Sequence, residues 1–261
     1  MDPDILDYYN QGRERDRLEQ VGRLEFIRTQ ELLRRFMPPP PARIIDIGGA
    51  AGIHALPLAG AGYDVHLVDP VPLHVEQALA AGLASVTTGD ARNLAFDDES
   101  VDVVLLLGPL YHLTERQDRI RALGEARRVA RPGGHLFAAV ISRFASTQDG
   151  LQLGYLSDPQ FERIVERDVM TGQHRNPTGR SGWFTTAYMH HPDEIEHELA
   201  DAGWEPSAII AIEGPGALAD GDDWIDDPVR RAVLLRAIRR VEAESSIRGS
   251  SPHLLAIGRR A

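Results

Sequence analysis

The residues best placed for chemistry begin at Asp46. The run Asp46-Ile47-Gly48-Gly49-Ala50-Ala51-Gly52 puts a carboxylate just ahead of a glycine-rich turn. Gly48, Gly49 and Gly52 let the backbone turn tightly and approach a ligand without Cβ clashes. A helix expected after them offers unpaired N–H groups and the positive end of its dipole to that ligand. Asp69 closes the next apolar run, Val65 to Val68, where its carboxylate can accept hydrogen bonds from a ribose diol. Together these features predict a site for a nucleoside-containing cofactor. Farther along stand Tyr111 and His112, directly after another apolar run. Histidine is the side chain most readily used as a base near neutrality. The plainer reading of His112 is a helix-entry residue that bonds a backbone carbonyl.

The elements that must position these groups alternate between strand and helix. Arg43 to Ile47, with its β-branched run, reads as a buried parallel strand. Val65 to Asp69, Ala84 to Thr88, Val101 to Leu107 and His135 to Ile141 read as the next four. Helices are expected over Pro72–Ala81 and Thr114–Val129, the latter with Thr114 as N-cap and Gln117 completing a capping box. Upstream, residues 2–36 read as two helices broken near Gly22 and stopped by Pro38 to Pro41. Residues 143–191 interrupt the alternation with an amphipathic stretch, Pro159 to Met170, and a Gly/Asn/Pro/Ser-rich loop carrying aromatics and histidines. An insertion of this length in a compact domain is usually functional or disordered, and the aromatics favour a substrate lid. A helix from Pro192 to Ala202 ending at Gly203, a strand from Pro206 to Glu213, a helix from Pro228 to Ser245 and a strand from His253 to Gly258 complete the chain. The expected fold is α/β. It is a Rossmann-like, seven-stranded, mostly parallel sheet with helices on both faces, an antiparallel last pair, an N-terminal helical cap and a lid insertion after the fifth strand. One domain is expected, divided into cap (1–40), cofactor-binding core (41–142), lid (143–191) and C-terminal part of the sheet (192–261).

Composition narrows the chemistry. The 261 residues carry a net charge of −11 and no cysteine. Disulfides, thiolate metal sites and a cysteine nucleophile are therefore excluded. The acidic balance argues against nucleic acid as partner, since a phosphate-tracking surface needs clustered basic residues. No run approaches a membrane span, and the charged N-terminus lacks an apolar signal core, so a cytoplasmic enzyme is expected. No metal is expected either. The histidines show no His-x₃-His pair on a helix, and the acidic stretch Ala219 to Asp227 lacks calcium-loop spacing and a terminal glutamate.

From the first strand through the fifth, the chain resembles a class I S-adenosylmethionine-dependent methyltransferase. It is most similar to bacterial small-molecule methyltransferases with an N-terminal helical cap. Asp46, Gly48 and Gly52 stand where that family has an acid followed by spaced glycines, with Ala50 replacing the middle glycine. The segment Arg128-Val-Ala-Arg-Pro-Gly-Gly134 matches the family's turn before its fifth strand. The resemblance implies that Asp69 holds the ribose hydroxyls, and that Asp90 and Ala91, with Arg92 alongside, read the adenine amino group. It also sets Gly49, Pro70, Leu107 and Gly108 against the cofactor. A tyrosine of the N-terminal helix, Tyr9 or Tyr8, would close over the sulfonium. Arg28, or alternatively Arg23, would bind the methionine carboxylate, a bidentate partner for guanidinium. Dinucleotide binding is the competing reading. It is disfavoured by the spacing Gly48-Gly49-Ala50-Ala51-Gly52 and by the lack of a Tyr-x-x-x-Lys pair in a chain that contains no lysine at all.

On the acceptor side, Gly108-Pro109-Leu110-Tyr111 lacks the polar first residue of the Asp/Asn-Pro-Pro-Tyr segment found in family members that methylate base or glutamine amide nitrogens. This favours a small-molecule acceptor, with Tyr111 and His112 as catalytic candidates. Tyr8, Arg143, His174, Tyr188, His190 and Glu213 are expected to surround the acceptor together with that pair. The expected activity is methyl transfer from S-adenosylmethionine, leaving S-adenosylhomocysteine, to an O or N atom of a metabolite. C-methylation and a silent cofactor-binding fold are the alternatives.

Overall fold

The computed structural model describes residues 3–10, 22–219 and 222–261. The expected break between the two N-terminal helices lies mostly outside these residues, as do Asp220 and Gly221 of the acidic loop. Two helices, α1 (Pro3–Asn10) and α2 (Arg23–Phe36), precede β1 (Arg43–Ile47), α3 (Ala55–Gly60), β2 (Asp64–Asp69), α4 (Pro72–Ala80) and β3 (Val86–Thr88). Next come β4 (Val101–Leu106), a single turn α5 (Pro109–His112), α6 (Arg116–Val129) and the long β5 (Ala130–Ile141). The insertion holds α7 (Ala145–Gln152), α8 (Pro159–Thr171) and a two-stranded ribbon of β6 (Gln173–His174) and β7 (Ala187–Tyr188). After it stand α9 (Glu194–Asp201), β8 (Glu205–Ala211), α10 (Asp222–Asp226), α11 (Pro228–Arg239) and β9 (His253–Arg259).

The main sheet has seven strands in the order β3-β2-β1-β4-β5-β9-β8. The pairs from β3 to β5 are parallel, while β9 runs antiparallel to both β5 and β8. Chain order reverses between β1 and β4, which opens a crevice at their carboxyl ends. The central strands are apolar on both faces because both faces are covered. Ile45, Ile47, Val104 and Leu136 pack with Leu123 and Ala126 of α6 and Ile195 and Leu199 of α9. Ile44, Leu67, Leu105 and Phe137 pack on the other face with Leu32 and Leu33 of α2 and Leu58 of α3. Among the described residues no helix is long and apolar enough to cross a membrane.

Local expectations differ from the structure at three places. The helix after β4 starts at Arg116, and its N-terminal residue Glu115 makes no side-chain cap. The backbone of Thr114 is instead held through its carbonyl, which accepts from Arg119 (3.0 Å) and from Gln173 of the insertion (3.1 Å). The Arg-Pro-Gly-Gly segment lies within β5 as an irregularity, where the β4 register shifts between Val101 and Val103. The C-terminal helix stops at Arg239 and gives way to a 3₁₀ turn over Ser245–Ser250.

Candidate active site

A cavity of about 300 Å³ opens at the carboxyl ends of β1, β2 and β4, and is lined by Asp46, Gly48, Asp69, Asp90, Tyr111 and His112 among others. The turn after β1 is shaped by backbone that only small residues tolerate. Gly48 has φ +70°, and a Cβ there would come within 2.6 Å of the Pro109 ring. A Cβ at Gly49 would meet the Asp46 carboxylate at 2.6 Å. Ala50, where the family has glycine, is itself in the left-handed region at φ +48°, a conformation that costs an L-residue about 1 kcal/mol. Its departure is therefore one of backbone conformation as well as of volume. A hydrogen bond offsets it: the Ala50 N–H donates to Asp69 Oδ2 at 2.9 Å.

Three carboxylates face the cavity in different states. Asp69 Oδ1 accepts from the Val71 N–H (2.9 Å) and from His74 Nδ1 (3.0 Å). With the Ala50 bond, Asp69 thus takes three donors, leaving acceptor capacity for one more, such as a ribose hydroxyl. Asp90 is gripped by Arg92 through Nε (3.0 Å) and a terminal nitrogen (2.7 Å). That hydrogen bonding holds the Asp90 carboxyl below its usual range. Asp46 is the opposite case. It is buried, and among the described residues neither of its oxygens has a hydrogen-bond partner. Burial, reinforced by the nearby Asp69 charge, pushes its carboxyl up to about 7. A buried carboxylate is normally paired, so these two open acceptors are a demand for a donor from a ligand.

The acceptor side is aromatic. His112 Nε2 lies 2.5 Å from the Tyr9 hydroxyl, which α1 carries over the cavity. Its Nδ1 points at the Thr186 carbonyl at 3.4 Å. The carbonyl can only accept, so Nδ1 carries the proton and Nε2 accepts from the phenol. Burial depresses His112 to about 4, leaving the imidazole neutral at physiological pH. Both readings of His112 thus have a counterpart here, with a backbone carbonyl at one nitrogen and the cavity at the other. Tyr8, Tyr111 and His112 each make ring contacts with Phe184, at 5.6, 6.3 and 5.8 Å between centroids. Phe184 has φ +59° and ψ −177°, a region almost reserved for glycine, and its carbonyl is held by Asn176 at 2.9 Å.

The structure brings Tyr9, Asp46, Gly48, Gly49, Asp69, Pro70, Asp90, Ala91, Arg92, Leu107, Gly108, Tyr111 and His112 to the cavity wall. Arg28 does not belong there. Its guanidinium is fully buried against Glu31 (2.6 Å), Glu242 (2.5 Å) and the Ile212 carbonyl (2.9 Å), away from the residues that line the cavity. Arg23, the alternative, pairs with Asp226 (2.5 Å).

Most of the insertion's expected acceptor residues are likewise engaged elsewhere. His174 bonds Asp168 (2.7 Å) and the Trp183 carbonyl (2.9 Å). His190 is buried against Glu198 (3.2 Å). Tyr188 lies under the Arg119 guanidinium at 3.7 Å and bonds Glu194, as does Arg143 (2.7 Å). Glu213 accepts from Ser251 (2.9 Å) and His253 (2.6 Å). Arg143, Tyr188 and His190 tie the insertion to α9, while His174 is bonded within the insertion itself. Unexpected lining comes from Glu25, His54, His74 and Pro109. Only Pro109, inside the segment already singled out, had a signal in the sequence.

Residues 45–138 match the family model described as a methyltransferase domain. Over these residues the chain carries a methyltransferase domain. An uncharacterized methyltransferase of Mycobacterium tuberculosis is 36% identical over 107 residues, covering 41% of this chain and 42% of the relative. The chain thus spans less than half the length of that relative. A ubiquinone biosynthesis O-methyltransferase of Azorhizobium caulinodans is 30% identical over 186 residues, 69% of this chain and 65% of the relative. In fold, the chain is similar to a SAM-dependent methyltransferase of Methanosarcina mazei, with a TM-score of 0.59 at 19% identity over 88% of this chain and 96% of that one.

The methyltransferase domain's open carboxylate predicts a pH signature. With a pKa of about 7, Asp46 is half protonated near neutrality in the free protein. The folded state then holds more protons than the unfolded one between the ordinary carboxylate range and neutrality, so this group's stabilising contribution is lost as pH rises through that window. A ligand that donates a positively charged hydrogen bond to Asp46 expels the proton. The affinity for S-adenosylhomocysteine is therefore expected to fall about tenfold from pH 8 to pH 6, with proton release detected by calorimetry in buffers of different ionisation heat. In Asp46→Asn the slope should vanish. An unchanged slope in that variant would remove Asp46 from the binding site.

Proposed function

We propose that this protein transfers the methyl group of S-adenosylmethionine to an O or N atom of a small-molecule metabolite. The donor half rests on the fit between the cofactor and the residues present. Asp46 lacks the donor that an α-ammonium group supplies, Asp69 retains room for a ribose hydroxyl, and Asp90, Ala91 and Arg92 line the same cavity. Bound there, the cofactor supplies an electrophilic methyl group. The chain's own part is positioning and proton management. Holding acceptor and donor in near-attack geometry supplies much of the acceleration. His112, neutral and with Nε2 toward the cavity, takes the acceptor's proton. Tyr9 stands on that nitrogen, so an acceptor either displaces the phenol or passes its proton through it.

The observation that carries the acceptor class is the closure of this side. Tyr9 covers His112, and Tyr8, Tyr111 and Phe184 surround the pair. A covered aromatic chamber suits a compact, hydrophobic acceptor and not a polymer strand. The O-methyltransferase name of the Azorhizobium relative points the same way. The test combines binding and turnover. S-adenosylhomocysteine should bind in calorimetry while NAD gives no heat. Metabolite extracts incubated with S-adenosylmethionine should show a product about 14 Da heavier, one CH₂. NAD binding in place of S-adenosylhomocysteine would overturn the donor, and transfer to RNA or protein alone would overturn the acceptor.

A further inference from the structure

The insertion holds a second, separate groove of about 510 Å³, lined by Gln160, Arg163, Ile164 and Arg167 of α8 and by Pro177, Thr178 and Arg180 of the following loop. The four α8 residues recur at helical spacing and so share one face of that helix, while Glu162 and Glu166 fall on the other side. Arg163 and Arg167 are exposed, and among the described residues neither side chain has a hydrogen bond or ion pair. Like charges four apart on a helix repel; Asp158 is within electrostatic reach of Arg163 but, among the described residues, forms no ion pair with it. The third guanidinium is fixed in place. Arg180 stacks over Trp183 at 4.4 Å and pairs with Asp158 at 2.6 Å. Besides Arg180, Asp158 already accepts from the Gln160 N–H (2.8 Å) that starts α8.

We propose that this groove is a binding site for a phosphate-class anion, held by Arg163 and Arg167 against the fixed Arg180. Guanidinium groups match phosphate geometry in bidentate fashion, and two unpaired ones in a groove of ligand size meet that requirement. The site is also wired to the acceptor side. Asn176 donates to the carbonyls of both Arg180 (2.8 Å) and Phe184 (2.9 Å), and Phe184 packs on Tyr111 and His112. The anion is either inorganic or carried on an organic molecule. The proposal does not depend on the methyl-transfer reading.

Inorganic pyrophosphate titrated into the full chain at low salt tests it. Arg163→Gln/Arg167→Gln should bind at least about tenfold more weakly than the parent, the loss expected for two charge-assisted contacts. The melting temperature should be unchanged, since both side chains are exposed. Arg236→Gln/Arg240→Gln is the control, because it removes an equally spaced exposed pair at the C-terminal end of α11, outside the groove. ADP binding more tightly than pyrophosphate assigns the anion to an organic phosphate, and equal or weaker binding assigns it to the inorganic ion. Absence of binding by the parent overturns the site. An equal loss in the control pair does so too, by reducing the effect to net charge.

Discussion

His112→Ala is expected to lower kcat by about 10²–10⁴-fold, the usual contribution of a positioned base, while S-adenosylhomocysteine affinity changes by less than about twofold. The physical basis is a neutral imidazole, depressed to about 4 by burial, with its proton on the Thr186 side and its lone pair toward the cavity. The wild-type rate should accordingly show no loss from His112 protonation down to about pH 5. His112→Gln separates chemistry from architecture. Its amide oxygen can still accept from the Tyr9 hydroxyl but has no useful basicity. A glutamine variant as slow as the alanine one supports the base. Restoration of kcat by glutamine would return His112 to the role of a hydrogen-bonding wedge between α5 and the insertion.

Arg28→Ala should destabilise the fold by about 3 kcal/mol and leave cofactor affinity unchanged in the protein that remains folded. Removing this guanidinium leaves Glu242 partly unpaired in the interior and strips the Ile212 carbonyl of its donor. The loss falls at the low end for a broken buried pair because Arg35 still reaches Glu242 (2.7 Å) and Arg239 still pairs with Glu31. Urea unfolding measures the stability, and calorimetry with S-adenosylhomocysteine well below the unfolding midpoint measures the affinity. A specific loss of affinity there would restore Arg28 to the cofactor site that the family resemblance implied.

These two residues mark the limits of what could be read in advance. The glycine turn, Asp69, Asp90 and the Tyr111-His112 pair were legible because each follows directly from a strand end. Parallel strands deliver their carboxyl termini to one edge, so local sequence implies a shared location. Arg28 was not legible, because its partner Glu242 lies far along the chain and only packing brings α2 beside it. The same holds for the insertion. His174, Tyr188 and His190 look like cleft residues as a string, yet each finds a carboxylate, a carbonyl or a guanidinium contributed by another segment.

The sequence by itself determined the alternation of strands and helices along the chain, the two-faced core and the glycine-turn end of the cavity, since all three depend on short-range pattern and on one topological rule. Only the tertiary structure decided which polar side chains were left open. A buried polar group takes whatever partner lies within hydrogen-bond reach, and that depends on distances between segments that no spacing encodes. Among the described residues Asp46 found no partner, and Arg28 found three.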